Sequence, residues 1–343
     1  MMAHPTSLGF QCGTLTLLLV PAITFIIYFL TVFPHHPASL VIQPSLSSLS
    51  KDSRSWEIYA EDFFQGGAYV TFPYGRVRYW LMGPEDGPRI VLIHGLSIPA
   101  IIWQDVAPQL AANGYRVLLY DLYGRGYSDA PRTTYDTNLY VTQLALLMQY
   151  IGWEKTHVVG LSMGGGIGAA FCDQFPHLVS GKLALLASTG IVESNDLSRT
   201  SKFLSSPVMQ TITSSHPFRL YLRHLANNAT TIDDPIAELV RIQSAHLPGY
   251  NTAIASSIRE GPIRSLAPVF VSLGRKTRKR GGKILLIWGT RDSVVPYHYA
   301  ARVQALISES KLVTIDGAKH DLTLSHAGQV VKHLLAFFEA DDE

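Results

Sequence analysis

The sequence predicts an α/β fold, a mostly parallel central sheet flanked by helices and interrupted by an inserted helical block. Three observations predict it. From residue 68 onward, short β-rich apolar runs alternate with helical stretches, the rhythm of parallel strands joined by crossover helices. Between roughly residues 190 and 280 that rhythm stops, and apolar residues recur at helical spacing instead. It then resumes with two further strand runs before the chain ends at residue 343.

The N-terminal fifty residues stand apart, because no Asp, Glu, Lys or Arg occurs before Lys51. Residues 13–33, GTLTLLLVPAITFIIYFLTVF, are almost wholly apolar, and about 20 such residues suffice to cross a bilayer. Pro21 is tolerable in a membrane helix. The competing reading is a cleaved signal peptide, whose apolar core usually spans about 7–15 residues behind a basic stretch. Here the preceding MMAHPTSLGFQ has neither Lys nor Arg. The expectation is therefore a short tail over 1–12, a transmembrane anchor helix over 13–33 and a Pro/Ser linker over 34–54. That organisation places the protein on a membrane through a single N-terminal pass. Sidedness stays open, since Lys51 and Arg54 are interleaved with Asp52 and Glu57.

The folded domain is expected from about residue 55, its first core part running to 189. Strands are predicted at AYVTF (68–72), GRVRYWLM (75–82), IVLIHG (90–95), YRVLLYD (115–121), THVVGLS (156–162) and KLALLAS (182–188). Helices are predicted around 102–112 and 136–151. Residues 190–282 form the helical insertion, with stripes such as Phe218, Tyr221, Leu222 and Leu225, or Ile236, Leu239 and Val240. The second core part, 283–343, opens with the strands KILLIWG (283–289) and KLVTID (311–316).

Composition excludes several classes of function. A formal net charge of +2 gives no reason to expect a nucleic-acid partner. Two cysteines, Cys12 and Cys172, cannot build a disulfide framework, and no Cys/His group has metal-ligand spacing. No metal or organic cofactor is expected.

Chemistry concentrates at Gly160-Leu161-Ser162-Met163-Gly164, which follows an apolar strand and precedes a helical pattern. This is the nucleophile elbow G-x-S-x-G. A sharp strand-to-helix turn lifts the serine clear of the sheet, so its neighbours must lack bulky side chains. The helix after it aims free N–H groups at the site, where they favour developing negative charge. A serine hydroxyl near neutral pH needs a base, and the base needs an orienting group. His320, after KLVTID, and Asp292, after KILLIWG, lie where loops leave the carboxyl edge of the sheet. The order Ser162, Asp292, His320 is the one expected for this architecture; Asp321 and Glu193 are weaker candidates for the acid. A tetrahedral intermediate also needs two donors. Met163 supplies one backbone N–H, and the second should come from the loop after IVLIHG. His94 in that loop reads as a hydrogen-bonding brace.

Together, HGLS, DLYGRGYSD (121–129), GLSMGG, WGTRDSVVP and GAKHD resemble the α/β hydrolase superfamily, in its lid-bearing serine hydrolase branch. The resemblance covers residue 68 to the C-terminus and implies the α/β hydrolase fold, with 190–282 as a helical lid. With an apolar N-terminal helix, the chain further resembles membrane-bound monoacylglycerol lipases. In that family the residues after His-Gly and after the serine provide the oxyanion N–H groups, which implies Leu96 and Met163 here. The HGGG stretch of one esterase branch is missing, and Ser162 stands where haloalkane dehalogenases and epoxide hydrolases carry aspartate. The implied activity is hydrolysis of a small lipophilic, monoacylglycerol-like ester at a membrane. Alternatives are the same triad acting on an amide, thioester, lactone or carbon–carbon bond, or a noncatalytic ligand receptor on the same fold.

Lesser features have plain readings. The run Arg275 to Arg280 is expected to be a solvated loop, with contact to anionic lipid as the alternative. Asn228-Ala229-Thr230 is a glycosylation acceptor pattern. Cys172 is expected to be a buried small apolar residue, and Cys12 a weak candidate for acylation.

Overall fold

The computed structural model describes residues 19–29, 39–196, isolated positions between 202 and 220, 234–280 and 282–340. The chain divides into two compact units, 1–39 and 40–343. In the first, residues 19–29 are helical. At a rise of about 1.5 Å per residue that stretch is ~16 Å long, against a hydrocarbon core of ~30 Å. Among the described residues no helix is long and apolar enough to cross a membrane. The expected anchor over 13–33, and the single-pass membrane location drawn from it, are corrected on this finding. The run is apolar enough in sequence, but the described helix within it is too short to span. The remainder of that run, the tail 1–12 with Cys12, the stripe residues Tyr221, Leu222 and Leu225, and Asn228 to Thr230 lie outside the described residues.

Among the described residues the second unit has ten strands, β1 (Ile42–Gln43), β2 (Gly67–Phe72), β3 (Gly75–Met82), β4 (Arg89–Ile93), β5 (Arg116–Tyr120), β6 (Ala130–Pro131), β7 (Thr156–Leu161), β8 (Val179–Leu186), β9 (Lys283–Gly289) and β10 (Lys311–Ile315). Eight of them form one sheet in the order β10-β9-β8-β7-β4-β5-β3-β2. β3 runs against both its neighbours, and the remaining pairs are parallel. Burial follows position in the sheet. The central β4 and β5 are apolar runs fully buried from Ile90 to Ile93 and from Val117 to Tyr120, as strands covered on both faces must be. The edge strands β2 and β10 are mostly half-buried or exposed.

The α-helices with described bounds in this unit are α1 (Ser55–Ile58), α2 (Ala107–Ala112), α3 (Thr137–Tyr150), α4 (Met163–Gln174), α5 (Pro235–His246), α6 (Tyr250–Glu260), α7 (Ala267–Arg280), α8 (His298–Leu306), α9 (Leu322–Ser325) and α10 (Ala327–Glu339). α2 and α10 pack together, and α4 packs on β7 and β8 as well as on α3 and α7. α3 starts where its cap dictates, the Asp136 carboxylate accepting from the Leu139 N–H at 2.9 Å. This is the predicted α/β hydrolase architecture. The sheet neighbours β8 and β9 are hydrogen-bonded, yet α5, α6 and α7 lie between them in sequence.

Three local expectations differ from what is observed. The helix expected over 102–112 is split into a 3-10 turn at Ala100–Trp103 and the short α2. Pro108 sits in the first turn of α2, where its missing N–H is tolerated; deeper in a longer helix it would break the ladder. Residues 40–54, expected within a linker, belong to the second unit. There β1 pairs with β6, Leu46 is fully buried, and its N–H donates to the Gly126 carbonyl at 2.9 Å. The basic run Arg275 to Arg280, expected as a loop, forms the end of α7. Cations are favoured at a helix C-terminus, and Lys276 is tied to Asp173 at 2.5 Å. Cys172 is buried as a free thiol, with burial raising its pKa. Leu239 enters the core while Ile236 and Val240 pack against it.

Candidate active site

Ser162 stands between β7 and α4 with φ 57° and ψ −121°, a conformation that L-residues rarely adopt. The flanking glycines permit it by close approach. A Cβ on Gly160 would lie 2.2 Å from the Gly164 carbonyl oxygen, and one on Gly164 would lie 2.1 Å from that of Ile93. The turn is pinned by the Ser162 N–H, which donates to Leu186 O at 2.9 Å, and by the Ser162 carbonyl, which accepts from Gly165 N and Thr189 N at 3.0 Å each.

The structure brings the three expected side chains into one chain of contacts. His320 Nε2 is 3.0 Å from Ser162 Oγ, and His320 Nδ1 is 2.8 Å from Asp292 Oδ2. The Asp292 side chain is fully buried, and its other oxygen accepts from Val294 N and Val295 N at 2.9 Å each. With three hydrogen bonds so accepted, the carboxylate is fixed in orientation and holds the imidazole tautomer that leaves Nε2 free to accept a proton. The loops carrying Asp292 and His320 are stitched together. Arg291 N donates to Ala318 O at 2.9 Å and Thr290 N to Ile315 O at 3.1 Å. Gly317 N donates to Thr290 Oγ1 at 2.8 Å, and that hydroxyl donates to Asp316 Oδ1 at 3.0 Å. The weaker acid candidates are engaged elsewhere: Asp321 accepts from Ser325 Oγ at 3.2 Å, and Glu193 pairs with Arg302 at 2.7 Å.

Met163 is the first residue of α4, so its N–H has no partner inside the helix. Leu96 lies one residue beyond Gly95, whose added Cβ would sit 3.3 Å from Ser162 Cβ. Both expected donors therefore belong to segments that border the serine. His94 is fully buried, with Nδ1 2.9 Å from Gly95 O and Nε2 accepting from Leu122 N at 2.9 Å. The Leu122 bond requires a bare Nε2, so Nδ1 carries the proton and donates to Gly95 O. Burial, helped by the nearby Arg125 charge, lowers the His94 pKa to about 3. A neutral histidine thus braces the peptide whose N–H belongs to Leu96.

A family model described as alpha/beta hydrolase fold matches residues 88–327, well over half of the chain. The chain belongs to this family. A 2-hydroxy-6-oxo-2,4-heptadienoate hydrolase of Pseudomonas putida is 25% identical over 265 residues, covering 75% of this chain and 91% of the relative. A bifunctional esterase/perhydrolase of Acinetobacter calcoaceticus is 22% identical over 298 residues, covering 79% and 99%. Among solved structures, that of a membrane phospholipase A superposes with a TM-score of 0.63 at 21% identity, covering 97% of this chain and 98% of that one. The last is a likeness of fold.

Sequence reasoning about this hydrolase missed a set of buried groups behind the serine. Asp121, fully buried, accepts from Ala100 N and Tyr127 N at 2.8 Å each and from the Tyr59 hydroxyl at 3.2 Å. Burial raises its pKa to about 7 against the pull of those donors. Arg125, also fully buried, donates to Leu96 O and Tyr123 O at 2.8 and 2.9 Å, and to the hydroxyls of Tyr140 and Ser257 at 2.5 and 2.8 Å. The signal was present in DLYGRGYSD, where charged residues recur in a segment whose described residues from 121 to 128 are all buried.

Proposed function

We propose that this α/β hydrolase is a serine hydrolase that cleaves carboxylic esters with an apolar acyl group through an acyl-enzyme intermediate. The observation that carries this reading is the unbroken relay from Ser162 Oγ through His320 to buried Asp292, at 3.0 and 2.8 Å. Ser162 attacks the ester carbonyl while His320 Nε2 takes its proton, and the N–H groups of Leu96 and Met163 receive the oxyanion. His320 then protonates the departing alcohol. Water, deprotonated by the same imidazole, attacks the acyl-serine and releases the acid. An apolar acyl group suits Leu96 and Ile98, half-buried beside the serine loop, and Val294, 59% exposed beside Asp292. The esterase/perhydrolase relative is in keeping with ester chemistry.

A second reading rests on the heptadienoate hydrolase relative: the same relay hydrolysing a carbon–carbon bond next to a ketone. One experiment separates the two. Purified full-length protein is treated with a fluorophosphonate, and turnover is followed on p-nitrophenyl esters of increasing chain length and on a 2-hydroxy-6-oxo-dienoate. Labelling lost in Ser162→Ala, with faster turnover of the esters, is the expected result. Faster turnover of the dienoate would favour the second reading. A folded wild-type protein that takes no label would defeat both.

A further inference from the structure

Three successive carbonyls of the loop after β4 are each claimed by a different side chain. Gly95 O accepts from His94 Nδ1 at 2.9 Å, Leu96 O from Arg125 Nε at 2.8 Å, and Ser97 O from the Tyr250 hydroxyl at 2.9 Å. The three donors come from three places: the loop itself, the loop after β5, and the first residue of α6. All three side chains are buried, Tyr250 at 2% exposure and the other two at 0%. The Arg125 fork continues to α6 through Ser257 Oγ at 2.8 Å. That hydroxyl also meets the Tyr140 hydroxyl at 2.7 Å and donates to Ala253 O within α6 at 2.6 Å.

Arg125 is a permanent cation, and its four acceptors are two carbonyls and two hydroxyls, none of them charged. Among the described residues it forms no salt bridge. A buried guanidinium without a counter-charge is costly. A methylated or aliphatic side chain would fill the same space more cheaply if packing were all that was required. What only the guanidinium supplies is a rigid fork that reaches the Leu96 carbonyl and α6 at once.

Resting on the Ser162 reading above, we infer that Tyr250 and Arg125 are positioning residues through which α6 sets the direction of the Leu96 N–H. The Leu96 N–H belongs to the peptide whose carbonyl His94 holds, and the next two peptides are held by Arg125 and Tyr250. Holding those two peptides limits the φ and ψ through which the chain at Leu96 and Ser97 could relax, and so limits rotation of the preceding plane that carries the Leu96 N–H. The inserted helical block thus contributes to catalysis from behind the loop: with α6 seated, the donor is aimed, and with α6 displaced, it is not.

The test uses full-length wild type, Tyr250→Phe and Arg125→Lys with p-nitrophenyl butyrate, each rate being divided by the active sites counted by fluorophosphonate titration. Because losing a direct oxyanion donor costs on the order of 100-fold to 1000-fold, misaiming one through Tyr250→Phe is expected to lower kcat by about tenfold. KM should stay within about twofold, since the contact matters for the oxyanion and not for the bound ester. Affinity for a trifluoromethyl ketone, whose adduct with Ser162 carries an oxyanion, should fall by the same factor as kcat/KM. Arg125→Lys, which keeps the charge and loses the fork, should act in the same direction and at least as strongly. A purely structural role would lower the melting temperature and leave kcat per titrated site unchanged, and that result overturns the inference. A wild-type protein without label or turnover would overturn the Ser162 reading and this one with it, whereas wild-type turnover matched by Tyr250→Phe overturns this one alone.

Discussion

Replacing Ser162 by glycine is expected to make the protein more stable than replacing it by alanine, although both variants lose the same hydroxyl. The backbone at Ser162 has φ 57° and ψ −121°, and such a conformation costs an L-residue about 1–3 kcal/mol. Alanine keeps the Cβ that causes the strain, while glycine removes it. Both lose the hydroxyl that meets His320 at 3.0 Å, so that loss cancels when the variants are compared with each other. Glycine's greater freedom in the unfolded chain returns about 0.5–1 kcal/mol of the gain. Taking the middle of each range, the net advantage of Ser162→Gly over Ser162→Ala is about 1 kcal/mol. For a folded unit of roughly 300 residues the unfolding entropy is about 0.6 kcal/mol per kelvin, so the difference in Tm is about 1–3 °C. Differential scanning calorimetry of the two variants, with urea midpoints at equal m as a second reading, measures it. An alanine variant as stable as the glycine variant would refute the argument, because the elbow would then hold no strain for glycine to release.

Asp292→Asn keeps an oxygen for the Val294 and Val295 N–H groups but presents an amide to His320, favouring the tautomer with the proton on the wrong nitrogen; kcat should fall by about 1000-fold to 10,000-fold with little change in KM, measured by steady-state ester hydrolysis. Stability against pH should acquire slopes of opposite sign in two further variants, read from urea midpoints between pH 4 and 6.5. The folded pKa of His94 is depressed from 6.5 to about 3, so its contribution is present above pH 6.5 and lost as pH falls toward 3. The folded pKa of Asp121 is raised from 3.8 to about 7, so its contribution is present below pH 3.8 and lost as pH rises toward 7. Each contributes on the order of 1.4 kcal/mol per pH unit within its window. Asp121→Asn should leave the rising slope of His94, and His94→Asn the falling slope of Asp121; equal slopes in both variants would contradict these assignments.

The relay was legible because its three members follow a chain order and each stands directly after a readable strand run, so strand prediction alone placed them on one sheet edge. Fold class was legible for the same reason: the central strands are buried on both faces and therefore read as unbroken apolar runs. Legibility failed where a single residue outweighed its neighbours. Pro108 cut a helix whose apolar spacing continued past it, and Leu46, buried beside the short β1–β6 pairing, drew a Pro/Ser segment into the folded unit. At Arg275 to Arg280, charge alone suggested a loop, while the favourable field at a helix end allowed the cations to be helical. The anchor failed differently, since apolarity over 13–33 says nothing about how many of those residues form one helix. Arg125 was visible only as a charge in the motif DLYGRGYSD, and Tyr250 not at all, because the contacts both make to the loop after β4 go to backbone carbonyls and leave no pattern in side-chain identity.

The buried groups behind the serine loop divide the task of holding it by charge type. Between pH 3.8 and 6.5 the folded protein carries His94 without its proton and Asp121 with one, whereas the unfolded chain carries the reverse. Proton count is equal in the two states, so the pair adds no net slope to stability across that range. Two strongly shifted residues just beyond the ends of the adjoining strands β4 and β5 can therefore coexist without adding to the fold's sensitivity to mild acid. Arg125 cannot join such an exchange, because a guanidinium does not release its proton in proteins, and its cost must be met by the dipoles that surround it. Those dipoles are the Leu96 and Tyr123 carbonyls and the Ser257 and Tyr140 hydroxyls. One of these four bonds, the one to the Leu96 carbonyl, both solvates the cation and fixes the loop. Moving that loop away would leave one N–H of a buried cation without its acceptor, which ties the Leu96 carbonyl to the fold.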